Sequence, residues 1–101
     1  MSIWFVSRHT GAVEWAKAQG IVVDHWVPHL SINEISSGDT VIGTLPVNMV
    51  AEVCAVGARY MNLSLDLPHS WRGKELSATE LVAVGARLEE FVVQSKSMGE
   101  N

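Results

Sequence analysis

The sequence predicts one α/β domain built on a mainly parallel sheet, with helices on both faces of that sheet. Short apolar runs of strand length alternate with stretches of helical patterning, and turn residues separate them. Strands that are continuous apolar runs are typical of parallel sheets buried on both faces. The length of 101 residues fits one domain.

The first half of the chain predicts a strand, a helix and a second strand. Residues 3–6 are a short apolar run and form the first strand. Residues 11–19 carry good helix formers; Thr10 is placed to cap this helix and Gly20 to end it. Residues 21–27 are rich in β-branched side chains, which favours a strand. A loop then leads to the second half.

The second half predicts a strand, a helix and a strand over residues 41–45, 47–56 and 58–67. Residues 77–80 read Ser-Ala-Thr-Glu, a capping box that starts a last helix over residues 78–94. Its apolar stripe includes Leu81, Val84 and Leu88 with Phe91 or Val92. The predicted order is β-α-β-β-α-β-α, with one domain over residues 1–94 and a frayed tail over residues 95–101.

Composition excludes several classes of protein. A formal net charge of −4 argues against a protein that grips long nucleic acid through a basic face, but it allows a small phosphorylated ligand held by local cations. One cysteine excludes an internal disulfide and a cysteine-rich zinc site. With no leader pattern and no apolar run of membrane length, we expect a cytoplasmic protein. The four Trp residues predict a dense core or an apolar contact surface.

The loop after the first strand is the strongest candidate site, because ligands of open α/β sheets bind beyond the carboxyl ends of the strands. It reads Ser7, Arg8, His9, Thr10 and Gly11. The following helix N-terminus attracts anions, Arg8 offers planar donors for phosphate, and His9 can carry a proton near neutral pH. Gly11 allows close approach to the backbone. The alternative is a helix cap at Thr10 and a surface ion pair at Arg8.

The loop after the third strand repeats this strand-to-helix arrangement. Thr44 and Asn48 carry groups that can hydrogen-bond a base, a ribose or a phosphate. Alternatively, they only satisfy the start of the next helix.

A third loop, over residues 66–74, follows the fourth strand. It carries His69, Trp71 and Arg72; Trp71 is suited to stacking on a base and Arg72 to binding a phosphate. Asp66 either orients His69 or Arg72 or caps the turn. A solvated loop with one packed Trp is the alternative.

No metal site is predicted. Asp24, His25 and His29 lie close in sequence, but no further ligand set accompanies them, so core or surface histidines are the favoured interpretation. The phosphate-binding loop, the dinucleotide fingerprint and the nucleophile elbow are absent from the sequence.

Four stretches together resemble the small CRISPR-associated ring nucleases found beside type III CRISPR systems. They read WFVSRH, GDTVIGTLP, GARY and RGKELS over residues 4–9, 38–46, 57–60 and 72–77. The likeness covers about residues 3–91. It implies a Rossmann-like, CARF-like fold, a homodimer, and cleavage of cyclic oligoadenylate, chiefly cyclic tetra-adenylate. It also implies that cleavage switches off type III signalling, and that neither a metal nor another cofactor is needed.

The resemblance implies attack by a ribose 2′-hydroxyl on the adjacent phosphate, which leaves a 2′,3′-cyclic phosphate. On this hypothesis Arg8 stabilises the charge on phosphate and His9 carries the proton. The expected substrate-binding residues are Ser7, Thr10, Gly11, Thr44, Asn48, His69 and Arg72.

Three other functions stay open. The same loops can bind cyclic oligoadenylate without cutting it, as a sponge or sensor. Arg8 and His9 are similar to the start of the histidine phosphatase signature, although Thr10 intervenes before Gly11 and the chain is short for that fold. A purely structural or interaction subunit is the third possibility.

Overall fold

The computed structural model describes residues 1–96, which form a five-stranded sheet with three α-helices. The strands are β1 (Ile3–Val6), β2 (His25–Val27), β3 (Thr40–Gly43), β4 (Arg59–Ser64) and β5 (Arg87–Phe91). The helices are α1 (Thr10–Ala18), α2 (Val47–Ala55) and α3 (Ala78–Ala83), with 3-10 turns at Ile32–Glu34 and His69–Trp71. Within residues 1–96, every helix is too short or too polar to cross a membrane.

The sheet has the strand order β2-β1-β3-β4-β5, and all pairs are parallel except β4 with β5. The chain leaves β1 towards β2 and leaves β3 towards β4, so the connections diverge between β1 and β3. Such a switch point leaves a crevice at the carboxyl ends of the two central strands. The predicted fold class, a mainly parallel Rossmann-like sheet, is confirmed.

Two apolar cores cover the two faces of the sheet. Val50 and Val53 of α2 pack with Trp4 and Tyr60 on one face. On the other face, α1 and α3 pack on the neighbouring strand positions; this core comprises Phe5, Ala12, Trp15, Ala16, Ile42, Leu63 and Leu81. Trp4 and Phe5 enter opposite cores because successive strand side chains alternate between faces. Helices therefore lie on both faces, as the sequence predicts.

The predicted long last helix is wrong. Its capping box is present, since Ser77 Oγ accepts the Glu80 N–H and Glu80 Oε1 accepts the Ser77 N–H, but α3 ends at Ala83. Gly85 has a φ of +73°, which turns the chain back. Residues 87–91 then form β5 antiparallel to β4, with Leu88 opposite Leu63. The predicted order therefore gains a final strand.

Two local predictions also differ from the structure. The second strand covers only His25–Val27, because β1 is itself short and pairs with β2 only from Trp4 to Val6. Thr10 does not cap α1; it is the first helical residue, and His9 occupies the N-cap without a side-chain hydrogen bond. Residues 97–101, most of the predicted tail, lie outside the described part.

Asp39 ties the start of the chain to the start of β3. Its Oδ1 accepts the Ser2 N–H at 2.8 Å, and its Oδ2 accepts the Ser36 N–H at 2.9 Å and the Trp4 indole N–H at 3.2 Å. The carboxylate is buried, and these donors, led by the backbone N–H of Ser2, lower its pKa below the ordinary value. Asp39 is thus a structural anchor.

Candidate functional site

Two adjoining concavities lie at the switch point between β1 and β3. The inner cavity, of about 180 Å³, lies between the carboxyl ends of β1, β3 and β4 and residues 74–76. The outer cleft, of about 420 Å³, lies between the segments that follow β1, β2 and β3. Both are lined by Val6, Ser7, His9 and Thr44. These shared residues make the concavities one continuous candidate site.

The inner cavity has apolar walls and a polar rim. Its walls include Phe5, Ala12, Leu63, Leu65, Leu76 and Leu81, and its rim consists of Ser7, His9, Thr44, Lys74 and Glu75. A mostly apolar cavity with a few convergent polar groups is typical of a small-molecule site. Its volume is below the ~300–1,000 Å³ of pockets that enclose a drug-sized ligand, so it suits one flat ring of a larger molecule.

The outer cleft contains Arg8. This side chain is exposed and forms no ion pair with any residue in the range 1–96. His29 lies on the same cleft, beside Pro28 and Leu30. A guanidinium without a carboxylate partner keeps its planar donors available for a phosphate.

His9 is held by a carboxylate that directly follows the third loop. Its Nδ1 lies 2.9 Å from Glu75 Oε2 and 3.0 Å from Oε1. On the other side, the His9 backbone N–H donates to Ser7 Oγ at 3.0 Å. The imidazole and the carboxylate are both largely exposed, at 61% and 66%, so they lie where a ligand can reach them.

The segment that carries Glu75 is anchored by the preceding residue, Lys74. Lys74 forms an ion pair with Glu80, and its ammonium lies 4.3 Å from the centre of the Trp71 ring. The pKa of Glu80 is lowered by its hydrogen bond with Lys74 and then by the N–H of Ser77. Lys74 therefore covers one face of the Trp71 ring. The sequence predicts that a base stacks on this ring, but on that face the ammonium group takes the place of the base.

Gly11 anchors the same segment from the opposite side. A Cβ at Gly11 would lie 1.9 Å from the Leu76 carbonyl oxygen and 2.9 Å from its carbon. The close approach predicted at Gly11 is thus made by the protein's own backbone. The missing side chain lets residues 75–77 pack on α1, next to His9.

Tyr60 positions the loop after β3. Its hydroxyl accepts the Leu45 N–H at 3.0 Å and lies 2.9 Å from the Gly43 carbonyl oxygen and 2.7 Å from Asn62 Oδ1, to which it can donate. Burial raises the pKa of this phenol. The two contacts on either side of Thr44 fix that residue at the edge of both concavities.

The predicted site residues divide into two groups. Ser7, Arg8, His9 and Thr44 lie together at the switch point. Other predicted positions lie elsewhere: Thr10 is exposed on α1, Asn48 borders a separate cleft between α2 and residues 92–95, and His69 and Arg72 are exposed on the third loop.

Asp66 and His25 have partners in the structure that the sequence did not suggest. Asp66 does not orient His69 or Arg72; it forms an ion pair with Arg87 at 3.2 Å, because β5 brings that residue alongside. His25 stacks on Trp4 with ring centres 4.1 Å apart. Within residues 1–96, no three His, Cys, Asp or Glu side chains are grouped as metal ligands.

The sequence did not assign Glu75 or His29 to the candidate site. Glu75 lies inside the RGKELS stretch, but its pairing with His9 joins residues 66 positions apart and follows no local pattern. His29 follows β2, and the order of the strands, which places β2 beside β1, brings it to the outer cleft.

The comparisons with known proteins give one match. The family described as "Putative CRISPR-associated protein (Cas_VVA1548)" matches residues 4–94, nearly the whole chain and all of the candidate site. Neither a curated protein nor a solved structure matches the chain.

Proposed function

The chain belongs to the CRISPR-associated protein family Cas_VVA1548, and we propose that it is a ring nuclease that cleaves cyclic oligoadenylate, chiefly cyclic tetra-adenylate. Acting in the cytoplasm, such an enzyme would switch off type III CRISPR signalling. The observation that carries the proposal is the grouping of Arg8, His9, Ser7 and Thr44 at the switch point, beside an apolar cavity. The family match supports the link to CRISPR systems.

The site has the features that a nucleotide requires. A base is flat and weakly polar, which suits the inner cavity, whereas a phosphate is anionic and suits Arg8. Lys74 also lines the rim of the cavity, but it is paired with Glu80, so Arg8 is the cation left for a phosphate. The polar groups of Ser7 and Thr44 lie between these two regions and can hydrogen-bond a ribose or a phosphate.

The proposed reaction is an internal transesterification. The ribose 2′-oxygen forms a bond to the adjacent phosphorus, the bond from phosphorus to the 5′-oxygen breaks, and the product ends in a 2′,3′-cyclic phosphate. Arg8 stabilises the charge that develops on the phosphate, and His9 carries the proton or donates to the leaving group. The site binds and orients the ring so that the attack is in line. This chemistry requires no cofactor.

We propose that the active form is a homodimer. A cyclic tetranucleotide has two-fold symmetry, and a two-fold dimer presents the same groups to each half of the ring. In such a dimer, Arg72 and His69 on the exposed third loop would reach the ring bound by the partner, and Thr10 and Asn48 would contact its outer parts. This arrangement gives a role to predicted residues that do not line the two concavities of one chain.

The test is incubation of the purified protein with cyclic tetra-adenylate in EDTA, with products identified by mass spectrometry. We expect linear fragments that end in a cyclic phosphate. Arg8→Ala should reduce the rate by about 10²–10³-fold, the usual effect of removing one donor to a developing oxyanion. The matched control is Arg59→Ala. Arg59 is the first residue of β4, so it lies at the amino ends of the parallel strands, away from the candidate site at their carboxyl ends, and it pairs with Glu90. Full activity in Arg8→Ala would refute the assignment.

A ring that binds but stays intact after long incubation with excess protein would indicate a binding module instead. The same cavity and cations serve binding alone, so product analysis separates the two functions. An equilibrium titration with cyclic tetra-adenylate then measures the affinity of the module.

A further inference from the structure

We propose that Glu75 is a positioning residue for His9, which fixes the imidazole with its proton on Nδ1 and leaves Nε2 free to accept the proton of the ribose 2′-hydroxyl. The inference rests on the proposed ring nuclease function and deepens it. Nothing in the sequence pattern singles out this glutamate; the fold brings it to His9.

The geometry fixes the direction of the hydrogen bond. An ionised carboxylate only accepts, and both Glu75 oxygens lie within 3.0 Å of His9 Nδ1. The Nδ1–H must therefore be the donor. In a neutral imidazole the other nitrogen then carries the lone pair, so Nε2 is the atom that can take a proton.

Both partners are held by their own neighbours. The His9 backbone donates to Ser7 Oγ, which sets the N-cap position of α1. On the other side, Lys74 is paired with Glu80, and Leu76 packs against the bare Cα of Gly11. Glu75 lies between these two anchored residues, so the backbone that carries it is fixed relative to α1.

The pair contributes little to stability, which makes a functional role the better explanation. Exposed ion pairs add little to stability, because water solvates both partners. The His9 and Glu75 side chains are each more than half exposed. They also lie on the rim of the inner cavity rather than in either core.

The proposed step balances without a further reactant. As the 2′-oxygen bonds to phosphorus, its proton passes to His9 Nε2, and the departing 5′-oxygen takes a proton from water. The imidazolium that forms stays next to the Glu75 carboxylate, which stabilises its charge, and later returns the proton to water. Glu75 acts through His9 and does not touch the ring.

The test compares Glu75→Ala, Glu75→Gln and His9→Ala in single-turnover cleavage of cyclic tetra-adenylate. Removal of a proton-transfer group costs about 10²–10⁴-fold, which we expect for His9→Ala. Glu75→Ala should lose at least about tenfold in rate, less than His9→Ala, with unchanged affinity for the ring. Glu75→Gln should recover part of that loss, because its amide oxygen still accepts the Nδ1–H.

The matched control is Glu34→Ala, which removes an exposed glutamate on the Ile32–Glu34 turn. It should cleave at the wild-type rate. Nitrogen NMR of the His9 ring provides a second readout that a merely structural glutamate would not move. We expect the Nδ1–H form in the wild type and in Glu75→Gln, and the Nε2–H form to rise in Glu75→Ala.

Two outcomes overturn the inference while the proposed function stands. One is wild-type cleavage by Glu75→Ala; the other is a ring tautomer that is the same in Glu75→Ala and the wild type. Absence of cleavage by the wild-type protein is a different failure, since it removes the proposed function itself. Thermal unfolding of each folded variant separates a loss of rate from a loss of structure.

Discussion

Replacing Gly11 with alanine should move residues 75–77 away from α1. The new Cβ would lie 1.9 Å from the Leu76 carbonyl oxygen, whereas a carbon–oxygen contact needs about 3.3 Å. The two backbones must therefore move apart by about 1.4 Å. Leu76 directly follows Glu75, so the same movement pulls the carboxylate away from His9.

The expected cost follows from two opposing effects. Overpacking in a closely packed region costs about 1–3 kcal/mol, and a clash with backbone places Gly11→Ala at the upper end. Alanine is favoured over glycine inside a helix by about 1 kcal/mol, which offsets part of this cost. The net loss is about 2 kcal/mol, or about 8–16 °C in Tm for a domain of this size.

Differential scanning calorimetry measures this loss directly. Thr10→Ala is the neighbouring control, because Thr10 is exposed and caps nothing. Gly43→Ala gives a graded comparison, since its Cβ would lie 2.9 Å from the Val6 carbonyl oxygen and should cost less than Gly11→Ala. A Tm of Gly11→Ala equal to or above that of the wild type would refute the packing argument.

Two further predictions concern Tyr60 and Asp39. Tyr60→Phe removes the hydroxyl that serves Leu45 and Gly43, so it should cost about 1–3 kcal/mol in urea unfolding, and an unchanged midpoint would contradict this role. The pKa of Asp39 is lower in the folded state than its ordinary value of 3.8. The stability that the ionised carboxylate contributes is therefore present above pH 3.8 and is lost as the pH falls through the lower pKa of the folded state. Asp39→Asn should therefore unfold more easily at neutral pH and show a weaker loss of stability below about pH 4. Parallel pH profiles of both proteins would disprove this linkage.

The sequence predicts the parallel part of the fold well because each of those elements has a local signal. The apolar run of β1 and the Ser77 capping box both act within a few residues, and both are present. The last helix failed for a physical reason. Residues 87–91 have spacing that suits a helix, but Gly85 turns the chain and β4 offers an open edge, so pairing with β4 prevails over local preference.

The residues of the candidate site also divide into those with a local sequence signal and those without one. Ser7, Arg8 and His9 follow directly from the rule that ligands lie beyond strand ends, and Thr44 follows because β3 is adjacent to β1. The position of Glu75 depends on how residues 75–77 pack on α1, which no periodicity encodes. The bare Cα of Gly11 is the one sequence feature that permits this contact, and the sequence alone suggested a ligand in that space.

A net charge of −4 is compatible with binding a polyanion because the charges are unevenly paired. Arg59 is paired with Glu90, and Arg87 is paired with Asp66 and Glu89. These ion pairs lie on β4, β5 and the segment after β4, away from the switch point. Arg8 and Arg72 lack an acidic partner anywhere in residues 1–96, and both lie on segments that follow the carboxyl ends of strands. Repulsion from distant carboxylates is screened beyond about 8 Å at physiological ionic strength. Arg8 is therefore the nearby cation that a phosphate in the outer cleft meets.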